Sequence, residues 1–445
     1  MKILSLTAGA AGMYCGSCFR DNALAVELLS RGHDVTLLPL YTPTTTDETN
    51  ASRDQVLFGG ISVYLQQYLS LFRRTPRFLD RLWDSPRIIS AFANRSLSTD
   101  ASLLGDLTIS MLQGVRGVLR KEFDKLIEWI AEEPAPDVIN LPNSLLISLA
   151  KPLRDALKRP VCCTLQGEDL FLDGLVEPYR QQAIDLIKQQ VPDVDGFIAV
   201  SDYYAPVMSR RLGIPADRMA VVPLGINLSG YEPRRAEDEV FRVGYFARIA
   251  PEKGLHVLAA AYERFRRRTG DAKVRLEAAG YLWRAQAPYL ADVRRSLDKA
   301  GLANEFTYRG AVDRDGKLAF LRSLDVLSVP ATYDEPKGVF LLEAMASGVP
   351  VVQPRRGGFT EIVEQTGGGL LVTPDDVSAV ADGLFTLWQD RALAERLGRR
   401  GFEGVRAHYS IAHSADRLIE VYSDLANQRQ TDRRRERPVS AVAGG

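Results

Sequence analysis

Short apolar runs alternate with stretches of helical periodicity along most of this chain, in two successive series. The first opens with Lys2–Thr7, which reads as a buried strand. A loop of small residues, Ala8–Ser17, follows, then a helix to about Arg31 with Leu24, Leu28 and Leu29 on one face. Gly32-His33-Asp34 turns into the strand Val35–Leu38. The series resumes at Asp137–Leu141, with a helix through Lys158 and the strand Val161–Leu165. Next come a helix near Pro178–Gln190, the strand Gly196–Val200, a helix from about Tyr203 and the short strand Met219–Pro223. The second series starts at Phe241–Phe246 and a helix from about Gly254, where Leu255, Leu258, Ala259, Tyr262 and Phe265 recur at helical spacing. Strands near Val274–Ala278, Phe306–Tyr308 and Val326–Pro330 lead to a helix over Gly338–Ser347. The strand Val349–Gln353 follows, then a helix opening near Thr360. Strand, helix, strand in repetition predicts parallel sheets, which bind ligands beyond the carboxyl ends of their strands.

The pattern predicts an α/β protein of two doubly wound, Rossmann-like domains. The first covers residues 1–232 with a mostly helical insertion at about 44–136. The charged stretch Glu232–Glu239, containing Pro233, reads as an interdomain linker, placed at 233–240. The second domain covers 241–410, a helix at 411–429 is expected to return to the first, and the polar tail 430–445 is expected to be disordered. Within the insertion, Tyr64–Phe92 interleaves Tyr68, Phe72, Phe78 and Trp83 with Arg73, Arg74, Arg77, Arg81 and Arg87. The favoured reading is a helical subdomain with arginines on its wet face. The competing one is a basic surface that lies peripherally on a membrane or holds an anionic acceptor.

Composition narrows the class. At 445 residues the chain exceeds one compact core. Lys+Arg and Asp+Glu are both 56, so no net charge draws it to nucleic acid. No run approaches the ~20 apolar residues of a membrane span. The start, MKILSLTAGA, reads as a first strand and not as a signal peptide, so a cytoplasmic protein is expected, with the inner membrane face as its peripheral alternative. Four scattered histidines, His33, His256, His408 and His413, lack metal-ligand spacing, and no metal is expected. Cys15 and Cys18 form a CxxC that could serve redox or zinc chemistry, but the other two cysteines, Cys162 and Cys163, are adjacent on a strand and face opposite ways.

Candidate chemistry gathers at strand ends. The loop GAAGMYCGS, with Gly12 and Gly16, lets backbone N–H groups approach an anion at a helix N-terminus, or is a tight turn. Gln166-Gly167-Glu168-Asp169 follows a strand. Asp193-Val-Asp195 resembles a metal-holding DxD but precedes its strand, as an ordinary turn would. Arg248 and Lys253 flank a loop that opens a helix and suit a diphosphate. In Asp334–Glu361, DEPKGVFLLEAMASGVPVVQPRRGGFTE, Glu335 lies in a loop and Glu343 in a helix. An ionised Glu343 could take both hydroxyls of a ribose, and Glu335 could accept from sugar hydroxyls.

These residues carry a resemblance. Glu335 to Val352 resembles the E-x(7)-E signature of glycosyltransferase family 4, retaining enzymes of GT-B fold. Ala247–Gly254 is similar to its G-R-L-x-P-E-K-G segment, and Pro223–Asn227 to its P-x-G-I-D stretch. Phe306–Pro330, with Gly310, Lys317, Phe320, Leu321 and Asp325, is similar to a further family block, and Gly357-Gly358…Glu361 to its G-G-x-x-E turn. The match spans about residues 195–375. It implies a GT-B protein whose two domains face a central cleft, transferring a sugar with retention from a nucleotide-diphosphate donor, UDP- or GDP-linked, without a cofactor. Arg248 and Lys253 would hold the diphosphate, with Glu343 on the ribose. Glu335 and the backbone of Pro336, Lys337, Gly338 and Val339 would hold the sugar, with Gly12, Gly16 and Gln166 also at the donor. Catalytic weight would fall on Glu335, Arg248 and Lys253. The acceptor is open: a glycan, a lipid-linked or a small molecule, anionic ones included. Two departures matter. Gln166 stands where T-x-H-G-x-D has His, and Lys337 where E-x-F-G has Phe. The alternatives are a GT-B-fold nucleotide-sugar isomerase and an inactive scaffold in polysaccharide assembly.

Overall fold

The computed structural model describes residues 1–9, 16–44, 46–53, 101–233 and 239–436. Gly12, Cys15, the segment Tyr64–Phe92 and most of the expected linker lie outside the described residues.

The chain divides into two compact units, each built on a six-stranded sheet whose strand pairs are parallel. The first unit comprises Met1–Val200, Ala205–Val222 and the chain from Ala415. Its strands are β1 (Lys2–Thr7), β2 (Asp34–Pro39), β3 (Val138–Leu141), β4 (Val161–Leu165), β5 (Gly196–Ala199) and β6 (Met219–Val221), in the order β2-β1-β3-β4-β5-β6. Every residue of β3, β4 and β5 is buried. Their sequences, VINL, VCCTL and GFIA, are the near-continuous apolar runs expected of parallel strands covered on both faces, broken by Asn140 and Thr164, whose hydroxyl donates to Asn140 Oδ1 at 2.8 Å. Of the expected insertion, the helices Ala101–Gln113 and Arg120–Glu132 are described. The last helix, Ile411–Glu436, packs on this unit from Ala415 onward, and a Cβ at Gly196 would come within 2.8 Å of its Leu425. The helix continues past residue 430, where composition suggested disorder. Arg433, Arg434 and Arg435 are good helix formers, and local propensity extends an already nucleated helix cheaply.

The second unit comprises Ser201–Tyr204 and Pro223–Ser414. Its strands are β7 (Phe241–Phe246), β8 (Val274–Ala279), β9 (Phe306–Tyr308), β10 (Val326–Leu327), β11 (Val351–Pro354) and β12 (Gly369–Val372), in the order β12-β11-β10-β7-β8-β9. Strand order reverses between β7 and β10. The loops leaving these two neighbours are therefore the ones that splay apart and leave room for a ligand. They carry Arg248 and Lys253 after β7, and Glu335 after β10. β10 is shorter than the run Val326–Pro330 suggested. Ser328 still donates its N–H to Gly244 (2.9 Å), but Ala331 N–H turns back to the Val329 carbonyl and Pro330 has no N–H to offer a ladder.

Candidate active site

The helix Val339–Ala346 starts at Gly338, whose φ of 76° is left-handed and open to glycine at little cost. Its residues Phe340–Ala346 are all buried, which takes Glu343 into the interior. A buried carboxylate needs compensation. Glu343 Oε1 accepts from Lys317 Nζ at 2.9 Å and from the Tyr231 hydroxyl at 3.0 Å. Glu343 Oε2 has no partner among the described residues. Lys317 lies on the helix Arg314–Arg322, capped by Asp313, and is itself buried.

Glu335 repeats the arrangement. One oxygen, Oε2, is bonded by Lys253 Nζ and by the Tyr333 hydroxyl, and Oε1 is left without a partner among the described residues. Lys253 also donates to the Tyr333 oxygen at 2.7 Å and stands over the Tyr333 and Phe340 rings, at 4.9 and 5.7 Å from their centroids. Burial would raise the Glu335 carboxyl. Lys253 above all, then Lys337 and the Tyr333 hydroxyl, outweigh it and hold the carboxyl below the usual carboxylate range. Arg248 turns to Glu252 on the same loop and is about half exposed, so its guanidinium is within reach of an incoming anion.

The loop bearing Glu335 is fixed by glycines. Gly358 N–H donates to the Glu335 carbonyl at 2.8 Å. A Cβ at Gly357 would come within 2.5 Å of that carbonyl, and one at Gly358 within 2.9 Å of the Pro336 carbonyl. The paired glycines of the G-G-x-x-E turn are therefore a contact requirement of the acidic loop. Gly254 has the same logic: its Cβ would strike the Pro330 carbonyl at 1.9 Å.

The structure thus gathers Lys253, Glu335, Pro336, Gly338, Val339 and Glu343 on two adjoining loops and one helix, with Arg248 beside them and Lys337 half-buried. Gly16 and Gln166 belong to the other unit. Gly16 is exposed at the first turn of the helix Gly16–Ser30. Gln166 is buried after β4, its Nε2 donating to the Pro142 carbonyl at 2.8 Å, while its Oε1 has no partner among the described residues. Glu168 faces inward, accepting from Ser144 N–H (3.0 Å), Ser144 hydroxyl (2.9 Å) and Gln166 N–H (2.8 Å), with burial raising its carboxyl. Asp193 pairs with Arg154 at 3.1 Å and Asp195 accepts from Val161 N–H at 2.8 Å, so both aspartates are committed to the chain around them. Cys18, Cys162 and Cys163 are buried.

Sequence reading gave no site role to Lys317, Tyr231 or Tyr333. A buried lysine on an amphipathic helix demands a carboxylate partner, which was the available signal for Lys317. The two tyrosines lie on irregular chain, where pattern says nothing about partners.

The model for "Glycosyl transferases group 1" matches residues 232–404, and that for "Glycosyltransferase Family 4" matches residues 111–229. The chain belongs to the group 1 glycosyltransferases of the family 4 type. It is 30% identical over 226 residues to a GDP-mannose-dependent alpha-(1-6)-phosphatidylinositol monomannoside mannosyltransferase of Mycobacterium tuberculosis, 47% of this chain and 57% of that one. It is 32% identical over 250 residues to a D-inositol 3-phosphate glycosyltransferase of Nocardia farcinica, 53% of this chain and 54% of that one. The match thus spans somewhat over half the length of these relatives. Among solved structures, a sucrose-phosphate synthase from Thermosynechococcus elongatus superposes with a TM-score of 0.70 at 19% identity, covering 96% of this chain and 99% of that one. Anabaena Alr3699/HepE in complex with UDP and glucose gives 0.66 at 18%, covering 95% and 99%. The fold is GT-B.

Proposed function

We propose that the chain is a retaining glycosyltransferase that moves a hexose from a nucleotide-diphosphate sugar onto a hydroxyl acceptor. One observation carries the reading. Two buried glutamates beside the switch-point loops each commit one oxygen to a Lys–Tyr pair and keep the other without a partner among the described residues. A carboxylate oxygen so held is a fixed acceptor for hydroxyls. Glu343 Oε2 takes the ribose and Glu335 Oε1 the sugar, with the amides of Gly338 and Val339 alongside. Arg248 and Lys253 neutralise the diphosphate. Catalysis is then positioning together with stabilisation of charge on the departing phosphate. That phosphate helps deprotonate the acceptor as it attacks from the same face, which retains configuration. No resident metal is required for these steps.

The acceptor we would try first is a phosphorylated or lipid-linked inositol, the chemistry named for the two relatives. The test is turnover of UDP-glucose and GDP-mannose with phosphatidylinositol, inositol 3-phosphate and simple glycan acceptors. Transfer that disappears in Glu343→Ala and Glu335→Gln supports the reading. Transfer unchanged in both overturns it, and epimerised donor without acceptor selects an isomerase instead.

A further inference from the structure

The four residues Ser201–Tyr204 belong to the second unit, although β5 before them and the helix after them belong to the first. Their contacts explain why. The Ser201 hydroxyl donates to the Pro336 carbonyl at 2.9 Å, and both residues are buried. The same hydroxyl accepts from the Tyr204 N–H at 3.2 Å, as a capping serine does. Two residues on, Tyr203 N–H donates to Glu361 Oε2 at 2.8 Å. Glu361 lies on the helix Gly357–Thr366, whose Gly358 N–H holds the Glu335 carbonyl at 2.8 Å.

These bonds close a circuit: Ser201 to Pro336, Glu335 to Gly358, along the helix to Glu361, and back through Tyr203. From this circuit we infer that Ser201 and Glu361 are positioning residues for the acidic loop. They touch no reacting atom, and they fix the backbone from which Glu335, Gly338 and Val339 act. This rests on the assignment of that loop to the donor sugar. The physical reason is local. Pro336 has no N–H with which to anchor itself, so the loop's register depends on carbonyls, and a buried carbonyl left without a donor is destabilising. Within that loop, Gly358 N–H anchors the Glu335 carbonyl and the Ser201 hydroxyl anchors the Pro336 carbonyl.

The experiment uses the full chain with Ser201→Ala, Ser201→Thr, Glu361→Ala and the Ser201→Ala/Glu361→Ala double variant. Amide hydrogen exchange is measured over residues 334–340 without ligand, and KM and kcat with UDP-glucose or GDP-mannose, whichever turns over. The expectation is exchange about tenfold faster in that segment for Ser201→Ala and Glu361→Ala, with β7 and β8 unchanged. Donor KM should rise about three- to tenfold, with a smaller change in kcat. Ser201→Thr, which keeps the hydroxyl, should restore both, and the double variant should be no worse than the poorer single one, because either break opens the same circuit. Unchanged exchange in 334–340 for both single variants overturns the inference. Faster exchange without any donor turnover in the wild type would leave the circuit standing and remove the donor assignment instead.

Discussion

Lys317 Nζ stands 2.9 Å from Glu343 Oε1, and neither side chain is more than 11% exposed. A pair this dry is weak evidence of stability as such, since both charges left water to form it. Its consequence is orientational: the ammonium fixes which carboxylate oxygen points inward. Removing only Lys317 leaves a buried, uncompensated carboxylate beside the Tyr231 hydroxyl. We expect Lys317→Met to lower unfolding free energy by about 3–5 kcal/mol in urea titrations. The double variant Lys317→Met/Glu343→Leu should recover most of that loss, yet bind donor as poorly as Glu343→Ala.

Donor affinity should report the ribose and diphosphate contacts separately. Glu343→Ala and Arg248→Ala are each expected to weaken donor binding at least about tenfold, or about 1.4 kcal/mol, by calorimetry with the nucleotide sugar that the wild type binds. The Arg248 effect should shrink at high salt, because that side chain is half exposed, while the Glu343 effect should not.

Acid should act through Glu335. Its carboxyl is held below the usual range, so the folded protein gains stability from it above the unfolded-state pKa of about 4.5. That contribution is lost as pH falls through the lower folded value. Unfolding midpoints should therefore drop more steeply on acidification for the wild type than for Glu335→Gln. Parallel pH profiles for the two proteins would contradict the assignment.

Glu361 shifts the opposite way. Burial is the main cause, with Asp202 adding repulsion against the N–H bonds of Tyr203 and Asp202, and the carboxyl is pushed up to about 7. The nearby Tyr409 phenol is raised in turn, by burial first and then by Glu361 and Asp202. A raised carboxyl costs stability as pH climbs from its unfolded pKa through the folded one. Glu361→Gln should thus be more stable than wild type at about pH 8 and nearly equal at about pH 4. The gain is on the order of 1 kcal/mol once partial exposure is discounted.

Chelation tests the metal-independent part of the proposal. Pre-incubation with excess EDTA should leave the transfer rate within about twofold, because Arg248 and Lys253 supply the positive charge opposite the leaving phosphate. A large loss, restored by added Mg²⁺ or Mn²⁺, would reassign that role.

Much of this was legible in the chain. The largely apolar runs that became β3, β4 and β5 are readable, because strands buried on both faces are mostly apolar and their few polar residues, Asn140 and Thr164, bond to each other. Glu343 was readable as a charge inside an otherwise apolar helix, and Glu335 as an acidic residue in the loop that follows a strand, the two joined by the E-x(7)-E spacing. What the pattern concealed were partners brought from far along the sequence. Tyr231 meets Glu343 from 112 positions away, and Ser201 meets Pro336 from 135. Such pairs follow from strand order, which periodicity does not encode. The glycines were visible too, but their full reason was not: Gly357 and Gly358 answer to backbone atoms of Glu335 and Pro336, and Gly357 also to its own left-handed φ of 52°.

The hold of Lys253 and Tyr333 on a single oxygen of Glu335 has a kinetic side. With the donor absent, the Lys253 ammonium already has a counter-ion in Glu335. Under the proposed function, a diphosphate sugar would take the lysine while a sugar hydroxyl occupied the other glutamate oxygen, with Tyr333 keeping its bond to the carboxylate through the exchange. A ligand bringing both phosphates and hydroxyls would then be better matched to this ion pair than one bringing phosphate alone.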